Sequence, residues 1–168
     1  CSNFQNFDIL LQLENVVHDC LQREQSLFVA SNFSIGVNIM FNLNKQLAKI
    51  MNMHPEYDVT IDETHHIHKM DAPSGTAITI ANDIIEELEH KEEWVLDESE
   101  SATEIPIFAH REGEVPGIHE VKYESMLDTI SIKHEAKSRK GFALGAVIAA
   151  EYLVNKKGYH TMEDLLKA

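Results

Sequence analysis

The sequence predicts an α+β fold, in which a mixed sheet of about four strands is covered on one face by helices at 34–52, 74–90 and 140–156. Two observations favour this class. Strand patterns cluster at hairpin-like spacing, whereas a doubly wound parallel sheet requires strands and helices to alternate. In addition, no G-x-G-x-x-G turn occurs in the 168 residues, so the chain carries no dinucleotide fingerprint of its own.

The first elements are a helix, a short strand and a second helix. Residues 9–24 carry apolar side chains at helical spacing, and 27–30 is a short apolar run typical of a buried strand. Ser34 is suited to cap the next helix. The apolar stripe of that helix consists of Ile35, Ile39, Leu43, Leu47 and Ile50.

The remaining elements supply the sheet. Residues 57–63 alternate apolar and polar side chains, which predicts a half-exposed strand. Residues 74–90 return to helical spacing, and 142–154 are apolar nearly all round, which indicates a helix buried against the sheet or a subunit partner. The acidic segment 90–104 is interpreted as a solvated surface excursion. Three further strands are predicted at 105–111, 117–125 and 128–134.

The charge balance limits the possible partners. The chain has 28 acidic and 14 basic residues, a formal net charge of -14 that opposes general binding to nucleic acid or anionic membrane. No apolar run approaches the roughly 20 residues that span a bilayer. Because Cys1 and Cys20 fit neither a metal-ligand pair nor a disulfide framework, we expect a cytoplasmic protein. The chain does not begin with Met, so we expect a fragment or a processed form.

Residues 63–76 concentrate three imidazoles and one ammonium group in this acidic chain. The segment joins a strand end to a helix start, where the backbone N–H groups of Ser74, Gly75 and Thr76 can hold a carboxylate. Histidine can donate a proton near neutral pH, and Lys69 can stabilise developing negative charge. The pattern therefore predicts a site that binds and protonates an anionic ligand.

Two other interpretations of the same residues stay open. A histidine cluster on a surface loop is often solvated polar chain without function. The pattern His65-His66-x-His68 can also supply zinc ligands, although neither a cysteine nor a helical H-x-x-x-H pair accompanies it.

The segment at 63–77, ETHHIHKMDAPSGTA, closely resembles the signature of dihydrodipicolinate reductases, E-x-H-H-x-x-K-x-D-x-P-S-G-T-A. Three further segments resemble that family in order and spacing: ASNFSIGVN at 30–38, REGEVPGIH at 111–119 and HEAKSR at 134–139. The resemblance covers about residues 14–168, the C-terminal half of the family pattern and a last piece of its N-terminal half.

The resemblance implies roles for individual residues. It makes His65 the proton donor and Lys69 the second catalytic group, which positions and polarises a cyclic substrate. The residues implied to bind the substrate carboxylates are His66, Ser74, Gly75 and Thr76. The residues implied to contact the nicotinamide end of the cofactor are the hinge turn Ala30, Ser31, Asn32 and Phe33, together with Arg139. Asn32 as a plain turn residue and Arg139 as a surface cation are the alternatives.

The implied activity is reduction of a cyclic imine dicarboxylate, dihydrodipicolinate, to tetrahydrodipicolinate in lysine and diaminopimelate synthesis, with hydride from NADH or NADPH. The family assembles as homotetramers through its sheet, so the second face of the predicted sheet is a candidate subunit interface. No metal is assigned. The alternatives are a non-catalytic dicarboxylate-binding or oligomerisation module and, more remotely, a zinc-dependent hydrolase.

The expected organisation follows from the resemblance. Residues 1–33 are expected to be a remnant of the dinucleotide-binding domain with its hinge, and residues 34–156 the substrate-binding, catalytic and oligomerisation domain. Residues 157–168 are expected to form a tail helix that returns toward the N-terminal part. Residues 1–13 do not resemble the family, and most of its Rossmann domain, with the acidic residue that holds the ribose, is absent from this sequence.

Overall fold

The computed structural model describes the backbone of residues 2–167 and the side chains of residues 12–167, so Cys1 and the side chain of Leu10 lie outside the described residues. In chain order the elements are α1 (Ser2–Gln22), β1 (Ser26–Phe28), α2 (Ile35–Met51), β2 (Asp58–His65), α3 (Gly75–Glu87), β3 (Glu93–Leu96), β4 (Glu104–Arg111), β5 (Ile118–Glu124), β6 (Thr129–Glu135), α4 (Lys140–Tyr152), β7 (Gly158–His160) and α5 (Met162–Leu166). None of the described helices is long and apolar enough to cross a membrane.

The chain divides into two compact units, the first formed by Cys1–Ile35 with Phe142–Ala168 and the second by Gly36–Gly141. In the first unit, β1 and β7 form a parallel pair in which Leu27 lies opposite Tyr159. The Phe28 ring packs on Phe33 and Tyr152, with centroids 5.9 and 6.2 Å apart. The buried thiol of Cys20 is free.

The second unit contains the main sheet, with strand order β3-β4-β2-β5-β6. The strands β3, β4 and β2 are parallel to one another, whereas β5 and β6 are antiparallel additions on the other side of β2. This mixed sheet has five strands, one more than the sequence predicted. The predicted α+β class is confirmed.

One face of the sheet packs on α2 and α3. Alternation along β2 directs Val59 and Ile61 into a core that also contains Ile80 and Ile84 of α3. Burial of each such aliphatic side chain contributes about 1.5–3 kcal/mol. The opposite face carries half-exposed polar residues such as Asp62, which lies 2.9 Å from the Nζ atom of Lys122.

Three details differ from the sequence prediction. The segment 90–104 contains β3, because Trp94 packs against the core despite its acidic neighbours. Instead of one tail helix, the segment after α4 contains β7 (Gly158–His160) and the short helix α5 (Met162–Leu166). The helix predicted at 140–156 ends at Tyr152, and from Phe142 onward it belongs to the first unit, so the boundary at 156 differs from the observed division at Gly141.

Candidate active site

The topology of the second unit brings three strand ends to one edge of the sheet. His65 at the end of β2 lies opposite Arg111 at the end of the parallel strand β4. Glu63, two residues earlier, lies opposite His119 of the antiparallel strand β5. Because side chains alternate along a strand, Glu63 and His65 both continue the buried face of Val59.

Glu63 is fully buried and is the centre of the cluster. Its Oε1 atom accepts hydrogen bonds from the backbone N–H of Ser74 at 3.0 Å and from Nη2 of Arg111 at 3.2 Å. Its Oε2 atom lies 2.7 Å from Nδ1 of His65. Burial raises the pKa of the Glu63 carboxyl, but hydrogen bonds from His65 and Ser74 outweigh it and lower the pKa to about 2. The carboxylate is therefore ionised at neutral pH.

Ser74 begins α3 and connects it to the cluster. Its Oγ atom accepts the backbone N–H of Ala77 at 3.2 Å, the geometry of an N-cap. The same Oγ atom lies 3.1 Å from Nε2 of His119. Next along the chain, Gly75 is exposed and Thr76 is half-buried, so the start of the helix can meet a carboxylate from solvent.

The loop between β2 and α3 is held by Arg111. Its Nε atom donates to the backbone oxygen of Lys69 at 3.3 Å, and its Nη2 atom donates to the backbone oxygen of Asp71 at 2.6 Å. The Nζ atom of Lys69 lies 2.8 and 2.7 Å from the two carboxylate oxygens of Asp71. Asp71 therefore pairs with the ammonium group of Lys69 within the same loop.

His65 and His119 form an edge-to-face pair with ring centroids 5.0 Å apart. Burial, together with the charge of His65, lowers the pKa of His119 to about 3, so its ring is neutral at neutral pH. On the other side of His65, a Cβ atom built on Gly117 would lie 3.0 Å from Nε2. The glycine at 117 therefore leaves room beside Nε2 of His65. Its φ of 152° is also a backbone conformation that other residues rarely adopt.

Metal binding was one interpretation of the His65, His66 and His68 pattern. Among the described residues, the group with ligand atoms close enough to hold an ion is Glu63, His65 and His119, all within 4.8 Å. The 2.7 Å between Glu63 and His65 is a hydrogen-bond distance, shorter than two ligands of one tetrahedral zinc ion, which lie roughly 3.3 Å apart. His68 lies outside that group and pairs with Glu114 at 3.2 Å.

The remaining predicted residues lie in both units. Asn32 accepts the backbone N–H of Ser34 at 2.8 Å, so its side chain shapes the turn of residues 30–33 in the first unit. Ser31 is exposed, whereas Ala30 and Phe33 are half-buried. Arg139 is exposed and immediately precedes α4. His66 is half-buried, and its Nδ1 atom has no hydrogen-bond partner among the described residues.

Three residues of the cluster were not predicted as site residues: Glu63, Arg111 and His119. The signal for Glu63 was present, because the alternation of Tyr57, Val59 and Ile61 continues to position 63. A carboxylate on the buried face of a strand requires partners. His119 joins the site through the pairing of β5 with β2.

Comparison with known proteins gives the family. Residues 36–166 match the family model described as "Dihydrodipicolinate reductase, C-terminus". The chain belongs to the dihydrodipicolinate reductase family. The matched segment includes every residue of the cluster around Glu63, and the resemblance expected from residues 63–77 is confirmed.

Relatives within this family are similar over most of the chain. The 4-hydroxy-tetrahydrodipicolinate reductase of Christiangramia forsetii is 53% identical over 147 residues, which cover 88% of this chain and 61% of that protein. The reductase of Methanosarcina barkeri is 40% identical and covers 90% and 58%, respectively. The chain thus spans about 60% of the length of these curated relatives.

A solved structure supports the fold. The dipicolinate-bound dihydrodipicolinate reductase from Paenisporosarcina sp. TG-14 superposes with a TM-score of 0.67 over 89% of this chain and 58% of that chain. Its sequence identity is 24%, so this likeness bears on the fold alone.

Proposed function

We propose that the second unit binds a cyclic imine dicarboxylate and, in a chain that also supplies a nucleotide-binding domain, reduces it to tetrahydrodipicolinate with NADH or NADPH. The observation that carries the proposal is a single cluster, made of hydrogen bonds and the 2.7 Å contact between Glu63 and His65, that links His65, Ser74 and the Lys69 backbone through Glu63 and Arg111. This cluster joins a proton donor to a helix start, as the chemistry of an anionic, protonatable ligand requires.

In this proposal, His65 and Lys69 act on the ring of the substrate. The imidazole donates a proton, and the ammonium group of Lys69 leaves Asp71 to stabilise negative charge as it develops. His66, Ser74, Gly75 and Thr76 bind the two carboxylates. Arg111 is already paired with the buried Glu63, whereas Lys69 is paired with the exposed Asp71. This difference supports the division, because Lys69 can exchange its exposed partner for a ligand.

A bound nicotinamide supplies the hydride. The turn of residues 30–33 and Arg139 are proposed to contact that end of the cofactor. The side chain of Asn32 holds the turn in shape, which fits a hinge. The residues present do not form a binding site for the phosphates of the dinucleotide cofactor, because the sequence has no glycine-rich turn between a strand and a helix.

Atoms and electrons balance in one reductive step. The conjugated imine accepts a hydride, a new C–H bond forms, and the resulting ring anion takes one proton from His65. A bound nicotinamide cofactor would be oxidised by the loss of this hydride, and the imidazole of His65 would regain its proton from solvent. Two electrons and two hydrogens are thereby added to the ring.

The second face of the main sheet is proposed to mediate assembly into a homotetramer. The support is the family membership and the half-exposed side chains on the face opposite α2 and α3, including Thr60, Asp62 and Lys122. Analytical ultracentrifugation at micromolar concentration tests this, and a monomer at all concentrations would contradict it.

Binding is tested on this chain by calorimetry with pyridine-2,6-dicarboxylate and, separately, with NADH. Turnover is tested in a fusion that places the N-terminal part of the Christiangramia forsetii reductase before residue 14. His65→Ala is expected to lower kcat at least ~100-fold, while His68→Ala on the same loop serves as the control. Near-normal turnover of the His65→Ala fusion would contradict the proposed role.

A non-catalytic module is the second candidate. The support for it is the start of α3 at Ser74, which is proposed to hold a carboxylate, together with the lack of a nucleotide-binding fingerprint in this sequence. Dicarboxylate binding by this chain, with neither NADH binding nor turnover of the fusion, would favour the module over the reductase.

A further inference from the structure

The buried carboxylate of Glu63 has a function beyond binding loop donors. Placing an ionised carboxylate at 0% exposure is strongly unfavourable unless every oxygen is paired. Its Oε1 atom is satisfied by Ser74 and Arg111. No hydrogen bond of good angle reaches Oε2 from the described residues. A donor is therefore required for Oε2 of Glu63.

Two ring nitrogens lie near Oε2. Nδ1 of His65 is 2.7 Å away and Nε2 of His119 is 3.9 Å away. The nearer atom is at hydrogen-bonding distance but off the ideal angle, and it too has no partner of good geometry among the described residues. The farther nitrogen already contacts Oγ of Ser74 at 3.1 Å. A hydrogen bond between Oε2 and the Nδ1–H of His65 would therefore satisfy both unpaired atoms at once.

We infer that Glu63 is the positioning residue of the reaction: its Oε2 atom holds the Nδ1–H of His65, which leaves Nε2, beside Gly117, as the atom that donates the proton to the substrate. This inference rests on the proposed function, in which His65 is the proton donor. A carboxylate on one ring nitrogen fixes both the orientation and the tautomer of an imidazole.

The surroundings of Glu63 are consistent with this role. The charged and titratable groups that interact with Glu63 are Arg111, His119 and Asp71, and His119 in turn interacts with Lys69 and His134. Arg111 donates to Oε1 and not to Oε2. His119 is buried and neutral, with its pKa lowered to about 3 by burial and by the charge of His65. The nearest imidazole to the free oxygen of the Glu63 carboxylate is therefore that of His65.

The two oxygens make Glu63→Gln a sharp test. The amide oxygen can take the position of Oε1 and keep the bonds from Ser74 and Arg111. The amide NH2 group then takes the position of Oε2 and donates to Nδ1 of His65, which must be unprotonated. In the neutral ring, the proton is thereby moved from Nδ1 to Nε2, and the doubly protonated ring that serves as the acid meets an opposing donor.

The first experiment uses this chain labelled with 15N in histidine. Long-range 1H–15N correlation spectra report which nitrogen of His65 carries the proton, and His65→Asn assigns its signals. We expect Nδ1–H in the parent and Nε2–H in Glu63→Gln. A parent spectrum with the neutral ring protonated at Nε2 overturns the inference, and this result does not depend on whether the variant folds.

The second experiment uses the active fusion. Glu63→Gln is expected to lower kcat at least ~100-fold with KM changed less than ~3-fold, because the proton donor is lost while the carboxylate-binding groups stay in place. The control is Glu56→Gln, which makes the same change at an exposed carboxylate that pairs with His54 outside the cluster and is expected to leave kcat within ~2-fold. An unchanged kcat in Glu63→Gln overturns the inference.

These outcomes are distinct from failure of the proposed function. A parent fusion that neither binds the dicarboxylate nor oxidises NADPH would refute the reductase proposal, and the tautomer measurement would still decide the contact between Glu63 and His65. An active parent with a fully active Glu63→Gln variant would refute the positioning role alone.

Discussion

Gly117→Ala is expected to weaken ligand binding without abolishing the fold. A Cβ atom at this position would lie 3.0 Å from Nε2 and 3.3 Å from Cδ2 of His65. Ordinary contacts between such atoms are about 3.5 Å, so the ring must retreat by roughly half an ångström. Glu63 lies 2.7 Å from the other side of the ring, which leaves little space for that movement.

The magnitude follows from these contacts. Loss of one good polar contact of His65 corresponds to about 1.4 kcal/mol, or ~10-fold weaker binding of pyridine-2,6-dicarboxylate. The φ of 152° at Gly117 adds a folding cost of about 1–3 kcal/mol for alanine. Calorimetric titration measures the affinity, and thermal denaturation measures the folding cost.

Gly113→Ala is the matched control. Gly113 also has a positive φ, 44°, but nothing lies within 4 Å of its added Cβ atom. Both variants therefore carry backbone strain, and only Gly117→Ala crowds the imidazole. Equal dicarboxylate affinity in the two variants would refute the reasoning that the ligand approaches His65 from the Nε2 side.

Three further predictions concern stability. Lys91→Met should lower the free energy of unfolding, measured in urea, by about 3 kcal/mol. The reason is that the buried Nζ atom donates to one carboxylate and two carbonyls at 2.7, 2.8 and 3.0 Å. A change below about 1 kcal/mol would contradict this. His119 has a folded pKa of about 3 against 6.5 when unfolded, so the unfolded state alone takes up its proton between these values. The free energy of unfolding should therefore fall as pH drops below about 6.5, at up to about 1.4 kcal/mol per pH unit for this group, and an equally steep slope in His119→Gln would contradict the assignment. Gly145→Ala should destabilise the first unit in thermal denaturation, since its Cβ atom would lie 1.7 Å from the backbone oxygen of Phe33; an unchanged melting temperature would show that this close approach is absent.

Sequence patterns predicted the elements whose burial is periodic. The alternation at 57–63 corresponds to β2 nearly residue for residue. The stripe from Ile35 to Ile50 predicted the extent of α2 but not its buried face, because Ile39, Leu43 and Ile50 are exposed. The buried positions of α2 are Val37, Met40, Asn44, Ala48 and Met51. Strand β3 was missed because two acidic residues precede Trp94, and local polarity concealed its pairing with β4. Short edge elements depend on such tertiary contacts more than on their own composition.

The site was predicted unevenly for a related reason. The segment at 63–76 showed where the histidines and Lys69 lie, because they are adjacent in sequence. The contribution of His119 depends on the register of β5 against β2, and that of Arg111 on the parallel pairing of β4. Pairing register is set by the whole sheet, and no local pattern in this chain states it.

The guanidinium of Arg111 fixes the loop between β2 and α3 at two backbone oxygens, those of Lys69 and Asp71. Ordering a free loop residue costs about 1–2 kcal/mol in conformational entropy. Since this loop is already tied to the end of β4, that cost is met during folding and not when a ligand arrives. In the proposed site, affinity for a small dicarboxylate would then be limited by desolvation and by the exchange of Asp71 for the ligand on Lys69, not by the need to order the loop.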